Sequence, residues 1–335
     1  MRIAIVRLTS LGDVVHTLPV AHALRCHRSI SYIVWIVEER EQVLLLNNPA
    51  VDEVVVAPTR RWRRELRTPA GAMKVLKEFR GLRDQLRSLS IDVAIDVQGR
   101  FPKSTIFTLL TGAPMRIGLG WRHVSDTLSS LFITHRVTPP REAVHVVEQN
   151  MSLLGPLGVP VRDLAFPLPV VPVAERKAEF LLQGHGVTPR DRLLVLLPAA
   201  RRPGKRWPPP RYRELANRLW KEAAVRILLL PGPGEEGLFH LISDGLDGRC
   251  IPIGGTSIPE LVAFLRGAHL AVGNDTGPLH LAAALGVPTI GLYGPTRAER
   301  NGPYGPRGRT ISSPTGRIED IPVDRVFQAA MEWLG

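Results

Sequence analysis

Arg2-Ile3-Ala4-Ile5-Val6-Arg7-Leu8 runs directly into Thr9-Ser10-Leu11-Gly12-Asp13-Val14-Val15-His16-Thr17-Leu18-Pro19. The opening run is apolar without alternation, as in a parallel strand covered on both faces. A tight turn and the start of a helix come next, completing the first half of a β-α-β unit. Such a turn lies at the carboxyl edge of the sheet, where folds of this kind bind ligands. Gly12 lets the backbone come close to a bound molecule. Asp13 reads in two ways, as the cap of the new helix or as a carboxylate offered to a ligand. The turn has no GxGxxG pattern and gives no support to a nicotinamide cofactor.

The same alternation continues along the chain. Continuous apolar runs predict strands at 2–8, 30–37, 53–56 and 93–96, then at 193–197, 226–230, 251–252, 270–273 and 289–293. Amphipathic stretches predict helices at 14–25, 70–89, 211–222, 258–266 and 279–285, with a last one at 322–334. The fold class is therefore α/β, with doubly wound parallel sheets. Phe166-Pro167-Leu168-Pro169-Val170-Val171-Pro172 interrupts the pattern, because closely spaced prolines exclude both helix and central strand. The expected division is a Rossmann-like domain at 1–166, a hinge at 167–172, a second such domain at 173–320 and a terminal helix at 321–335 packing back on the first. A chain of 335 residues is long enough for two cores.

No run of 18 apolar residues occurs, so no spanning helix is predicted. The N-terminus reads as a strand interrupted by arginine rather than a signal peptide, which implies a cytoplasmic protein. Cys26 and Cys250 are far apart and read as reduced thiols. The histidines form neither HExxH nor a cysteine–histidine group, so no metal is indicated.

Three further segments carry candidate chemistry. Gly273-Asn274-Asp275-Thr276-Gly277-Pro278-Leu279-His280 joins a strand to a helix, with Pro278 suited to the first turn. The amides of Thr276, Gly277 and Leu279 would then face an anion, aided by the helix dipole and by His280. Ala199-Ala200-Arg201-Arg202-Pro203-Gly204-Lys205-Arg206-Trp207-Pro208 follows the first strand of the second domain, where a lysine can neutralise a departing diphosphate. Arg60-Arg61-Trp62-Arg63-Arg64 leads into the 70–89 helix. Only six of the 43 basic residues are lysines, and ten basic against three acidic side chains fall at 60–87, seven of the net +12. Arginine forks there could hold a phosphorylated or carboxylated ligand, an anionic lipid or a nucleic acid, or simply form a solvated face.

Taken together, the chain resembles the bacterial ADP-heptose:lipopolysaccharide heptosyltransferases, glycosyltransferase family 9, most closely their heptosyltransferase I branch. The likeness rests on residues 10–19, Trp35-Ile36-Val37-Glu38-Glu39, Arg60-Arg61-Trp62-Arg63-Arg64, Asp96-Val97-Gln98-Gly99, Lys205-Arg206-Trp207-Pro208, Asp275-Thr276-Gly277 with His280, and Leu292-Tyr293-Gly294-Pro295-Thr296. It implies a GT-B fold, two Rossmann-like domains facing across a cleft, and inverting, metal-independent transfer of heptose from ADP-heptose to a Kdo residue of the lipopolysaccharide inner core. No cofactor beyond that donor is implied. Asp13 would be the general base and Lys205 would act on the leaving diphosphate. Gly12, Lys205, Glu235, Glu236, Asp275, Thr276, Gly277 and His280 would hold the nucleotide sugar. Ser10, Arg60, Arg61, Arg63, Arg64 and Gln98 would hold the acceptor, an anionic Kdo–lipid A precursor at the cytoplasmic face of the inner membrane. Two positions depart from the pattern: Ala199-Ala200 stands where relatives often carry hydroxyl donors, and Ser125 where the branch tends to carry arginine. A heptosyltransferase II-like or protein-modifying transferase of the same family is the alternative. A non-catalytic anion-binding or nucleic-acid-binding protein would leave Asp13 and the 275–280 turn unexplained, so no nucleic acid is expected as partner.

Overall fold

The opening run forms β1 (Arg2–Val6), followed in chain order by β2 (Tyr32–Val37), β3 (Glu53–Val56), β4 (Val93–Asp96), β5 (Met115–Leu119) and β6 (His135–Val137). These make one parallel six-stranded sheet, ordered β3-β2-β1-β4-β5-β6. A second set, β7 (Leu193–Leu197), β8 (Arg226–Leu229), β9 (Cys250–Pro252), β10 (Leu270–Asn274), β11 (Thr289–Tyr293) and β12 (Gly308–Ser312), makes another, ordered β12-β11-β10-β7-β8-β9. Its strands are parallel too. Each is the doubly wound order in which the strand sequence reverses beside a central strand. The computed structural model describes all residues except 125, 162, 163, 233 and 247. Ser125 therefore lies outside the described residues.

The chain divides into two units, Met1–Pro169 and Val170–Gly335, with the boundary inside the proline-rich segment. The Asn48 side-chain amide donates to the Pro167 carbonyl at 2.8 Å, so the approach to that boundary belongs to the first unit. Pro172 opens a helix, Pro172–Gly184, where its missing N–H is no loss. Central strands are apolar on both faces and wholly buried, as β7 is from Leu193 to Leu197.

One expectation is corrected. The helix expected at 14–25 is two helices, Leu11–Val15 and Leu18–Arg25. Pro19 has no N–H for the Val15 carbonyl and its ring crowds that position, so the helix restarts. The terminal helix, Val323–Leu334, is amphipathic as expected. Val326, Phe327, Ala330 and Leu334 are buried in the second unit's own core with Leu215 and Leu219 of the Pro209–Ala223 helix. Arg218 of that helix lies 4.1 Å above the Phe327 ring, adding a cation–π contact.

One buried polar side chain fixes the second unit's loops. Asn274, at the end of β10, is fully buried. Its Nδ2 donates to the Pro198 carbonyl at 2.6 Å, and its Oδ1 accepts from the Trp207 amide and the Tyr212 hydroxyl, both at 3.1 Å. The 198–212 connection is thereby held across the end of its neighbouring strand. Replacing Asn274 with leucine would strand three buried groups, each costing about 1–3 kcal/mol when unpaired. We expect Asn274→Leu to destabilise the second unit by at least about 3 kcal/mol on that scale, read by urea unfolding followed through tryptophan fluorescence. A loss below about 0.5 kcal/mol would show that other groups replace these bonds.

Candidate functional site

In the first unit, polar groups gather at the carboxyl end of β1, beside β4, where the strand order reverses. Arg7 follows β1 and is buried, held by a hydrogen bond from Nη1 to the Val97 carbonyl at 3.0 Å. Its Nη2 lies 2.5 Å from Asp13 Oδ1. The other carboxylate oxygen, Oδ2, accepts from the Ser10 amide and hydroxyl, each at 2.9 Å. Asp13 therefore does cap its helix, yet its side chain stays 40% exposed and can still meet a ligand. Burial pushes the Asp13 carboxyl up, but the Arg7 charge and the two Ser10 bonds outweigh it and leave the carboxyl below its ordinary value. Asp13 is thus a fixed anion at neutral pH.

Gln98 turns inward instead of outward, because its Oε1 accepts from the Leu8 amide at 3.0 Å and ties the β1 and β4 loops together. Asp96, buried at the end of β4, accepts from the Gln98 and Gly99 amides and from the Ser104 hydroxyl at 3.1 Å. Lys103 was not expected here. Its Nζ donates to the Thr9 hydroxyl at 2.9 Å, beside Ser10, and burial lowers its pKa. A lone lysine opening an otherwise uncharged helical stretch was the only hint in the sequence.

The arginine cluster is two different things. Arg60 contacts buried Glu38 at 3.3 Å and buried Glu41 at 3.1 Å. Arg61 meets Glu39 at 3.2 Å, Glu65 at 3.4 Å and Glu78 at 3.0 Å. Trp62 is buried, donating from Nε1 to Glu78 at 2.7 Å. Arg63 and Arg64 are exposed, with no acidic partner among the described residues. Of the four arginines expected to hold an acceptor, two are already committed to glutamates and two face solvent.

In the second unit the matching place is the carboxyl ends of β7, β8 and β10. Asp275, just past β10, is paired through Oδ2 with Lys205 Nζ and lies through Oδ1 at 3.5 Å from His280 Nε2. Burial acts to raise the Asp275 carboxyl, but His280 and Lys205 overcome it and hold the pKa at about 2. Asp275 cannot attract a diphosphate; it fixes the two cation-capable side chains that can. The Gly277–Ala284 helix, with Thr276 as its N-cap, begins two residues before the 279 expected and keeps Pro278 in its first turn. The Leu279 amide, however, is bound to the Thr276 carbonyl at 3.1 Å, leaving the Thr276 and Gly277 amides for an anion. Arg206 donates to the Ala200 carbonyl and to Glu235, both at 2.6 Å. It thus bridges the Ala199-Ala200 loop to the β8 loop. Glu236 accepts from the Gly234 amide at 3.2 Å at the start of the Gly237–Ser243 helix. Among the described residues, no group of three or more His, Cys, Asp and Glu side chains is placed to hold a metal ion.

The chain is similar to known proteins along most of its length. The family description Glycosyltransferase family 9 (heptosyltransferase) matches residues 79–326. Lipopolysaccharide heptosyltransferase 1 of Pseudomonas aeruginosa PAO1 is 31% identical over 313 residues, 91% of this chain and 82% of its own. The solved structure of E. coli heptosyltransferase WaaC with ADP is 28% identical, covers 99% of this chain and 100% of its own, and superposes with a TM-score of 0.81. The WaaC structure with ADP-2-deoxy-2-fluoro heptose is also 28% identical, covers 99% of each chain and gives 0.79.

The Arg7–Asp13 pair makes a prediction independent of any substrate. In Arg7→Met burial still acts and the opposing charge is gone, so the Asp13 carboxyl should titrate at clearly higher pH, with Arg7→Lys in between. Carbon-13 NMR of labelled aspartate would read both. The native carboxyl is depressed, so its contribution to stability is present above the unfolded pKa and fades as pH falls through the folded one. That acid-range loss should shrink in Arg7→Met. An unchanged titration would remove Arg7 as the cause.

Proposed function

The chain belongs to glycosyltransferase family 9, the heptosyltransferases, and we propose that it transfers L-glycero-D-manno-heptose from ADP-heptose to a Kdo residue of a lipopolysaccharide inner-core precursor. Glycosyl transfer with ADP-heptose as donor, on a GT-B fold, is the common ground of its relatives. The Kdo acceptor, the inverting course and the residue roles are the proposal's own. The observation that carries them is Asp13: an anion held in place from two sides, yet still open to a ligand.

In the proposed reaction the acceptor hydroxyl oxygen attacks the anomeric carbon of the heptose. The bond from that carbon to the β-phosphate oxygen breaks and ADP leaves with its electron pair. Asp13 takes the hydroxyl proton as general base. Attack opposite the leaving group in one displacement inverts the anomeric centre. Lys205, His280 and the Thr276 and Gly277 amides answer the charge that develops on the diphosphate, which is the leaving-group task a divalent ion would otherwise perform. Glu235 and Glu236 are assigned to the nucleoside end. Arg63, Arg64 and Lys103 are assigned to the acceptor's anionic groups, with Arg60 contributing the side not taken by Glu38 and Glu41. Arg61, enclosed by three glutamates, supports the site by shaping it. A lipid-borne acceptor of this kind would place the protein at the cytoplasmic face of the inner membrane.

The test is turnover of ADP-heptose with a Kdo-terminated lipid A acceptor in the presence of EDTA, with NMR assignment of the product anomer. Asp13→Asn should lower kcat by about 10²–10⁴-fold while donor affinity is kept. Near-native turnover in a folded Asp13→Asn protein, or activity restored only by one added divalent ion, would overturn the proposed mechanism.

A further inference from the structure

We infer that the outward face of the Pro69–Ser88 helix is a docking surface for an anionic phospholipid bilayer. This deepens the reading above and rests on it, since it names the surface by which the chain reaches a lipid-borne acceptor. The helix turns Val75, Leu82 and Leu86 into the first unit's core, with Phe79 packed alongside. At 100° per residue the opposite face carries Met73, Leu76, Lys77, Arg80, Arg83, Asp84 and Arg87. Met73 is 72% exposed and Leu76 45%, and Leu66, at the end of the preceding Thr59–Glu65 helix, is 56% exposed. Three large aliphatic side chains thus stand in water within one segment.

The charges around them are sorted by sign. Glu65 and Glu78 turn toward Arg61, Lys74 and Trp62 and are satisfied there. Outside, Arg67, Lys77 and Arg80 have no acidic partner among the described residues, and the one outward acid, Asp84, is paired with its neighbour Arg83 at 2.8 Å. A solvated helix face ordinarily mixes both signs. This one presents positive charge beside exposed Leu66, Met73 and Leu76. That combination matches an anionic interface, where phosphate headgroups take the bases and the aliphatic side chains enter the upper acyl region. A nucleic acid would use the charges but give the aliphatic groups nothing to contact, and the face has no aromatic side chain on which a base could stack. No helix among the described residues is long and apolar enough to cross a membrane, so the contact proposed is with the surface alone.

The experiment is co-sedimentation of the full chain with vesicles of phosphatidylcholine alone or with phosphatidylglycerol added. The chain should partition onto the anionic vesicles and not the neutral ones. Met73→Glu/Leu76→Glu and Lys77→Glu/Arg80→Glu should each lower partitioning at least roughly tenfold, with unchanged circular dichroism and melting. Turnover on a soluble Kdo acceptor without acyl chains should be unchanged in both variants, while turnover on vesicle-borne acceptor falls. Variants that partition like the parent would overturn the inference, as would a parent that ignores anionic vesicles. Tighter binding to a DNA duplex than to the vesicles, insensitive to Met73→Glu, would overturn it in favour of a nucleic-acid face. If the parent bound vesicles but transferred no heptose to the soluble acceptor, the functional reading would fail and the docking surface would stand.

Discussion

A parallel strand buried on both faces can carry polar chemistry only at its ends, and every polar group buried there must find its partners in the surrounding loops. Each unit places one buried polar side chain that bridges two loops beside the point where the strand order reverses. In the first, the buried Arg7 guanidinium reaches the Val97 carbonyl and Asp13, so the loops after β1 and β4 are fixed relative to one another. In the second, buried Asn274 does the same for the loops after β7 and β10. The candidate residues Ser10, Lys205 and Asp275 sit on loop segments positioned in this way, and Asp13 in the short helix that follows Ser10. Their geometry thus follows from the bridges made by two buried side chains.

Central strands were readable from sequence because burial on both faces demands unbroken apolar runs, and β1, β2, β4, β7, β8, β10 and β11 all show them. Three strands were not anticipated: β5, β6 and β12. β6 is His-Arg-Val and largely exposed, and β12 is Gly-Arg-Thr-Ile-Ser with only Ile311 buried. Edge strands need little burial, so their composition does not separate them from loops. The break before Leu18 was legible in principle, since Pro19 was plainly visible; the apolar periodicity masked it.

At the sites, the strand-to-helix turns could be found by residue type and spacing. Which charges are already spent could not be found that way. Arg60 and Arg61 look like free cations in sequence, but their partners Glu38, Glu39, Glu41 and Glu78 come from a neighbouring strand end and from a helix farther along the chain. Nor does sequence show that the Asp275 carboxylate is paired with Lys205 and lies against His280. Lys103 reaches Thr9 only because two loops far apart in sequence meet in space. Pairing over such separations is a property of topology, which local pattern does not carry.

The sorting of charge on the Pro69–Ser88 helix has an energetic side in the free protein. Successive turns are about 5.4 Å apart, shorter than the roughly 10 Å Debye length at 0.1 M salt, so Lys77, Arg80 and Arg87 repel one another through water. With few acids on that face to cancel the field, mobile anions must gather over it and surrender part of their freedom. Any polyanion that covers the helix sets those ions loose, and their regained disorder becomes a driving force for association. The folded chain therefore carries, on one helix, a store of small-ion entropy that a charged surface can release.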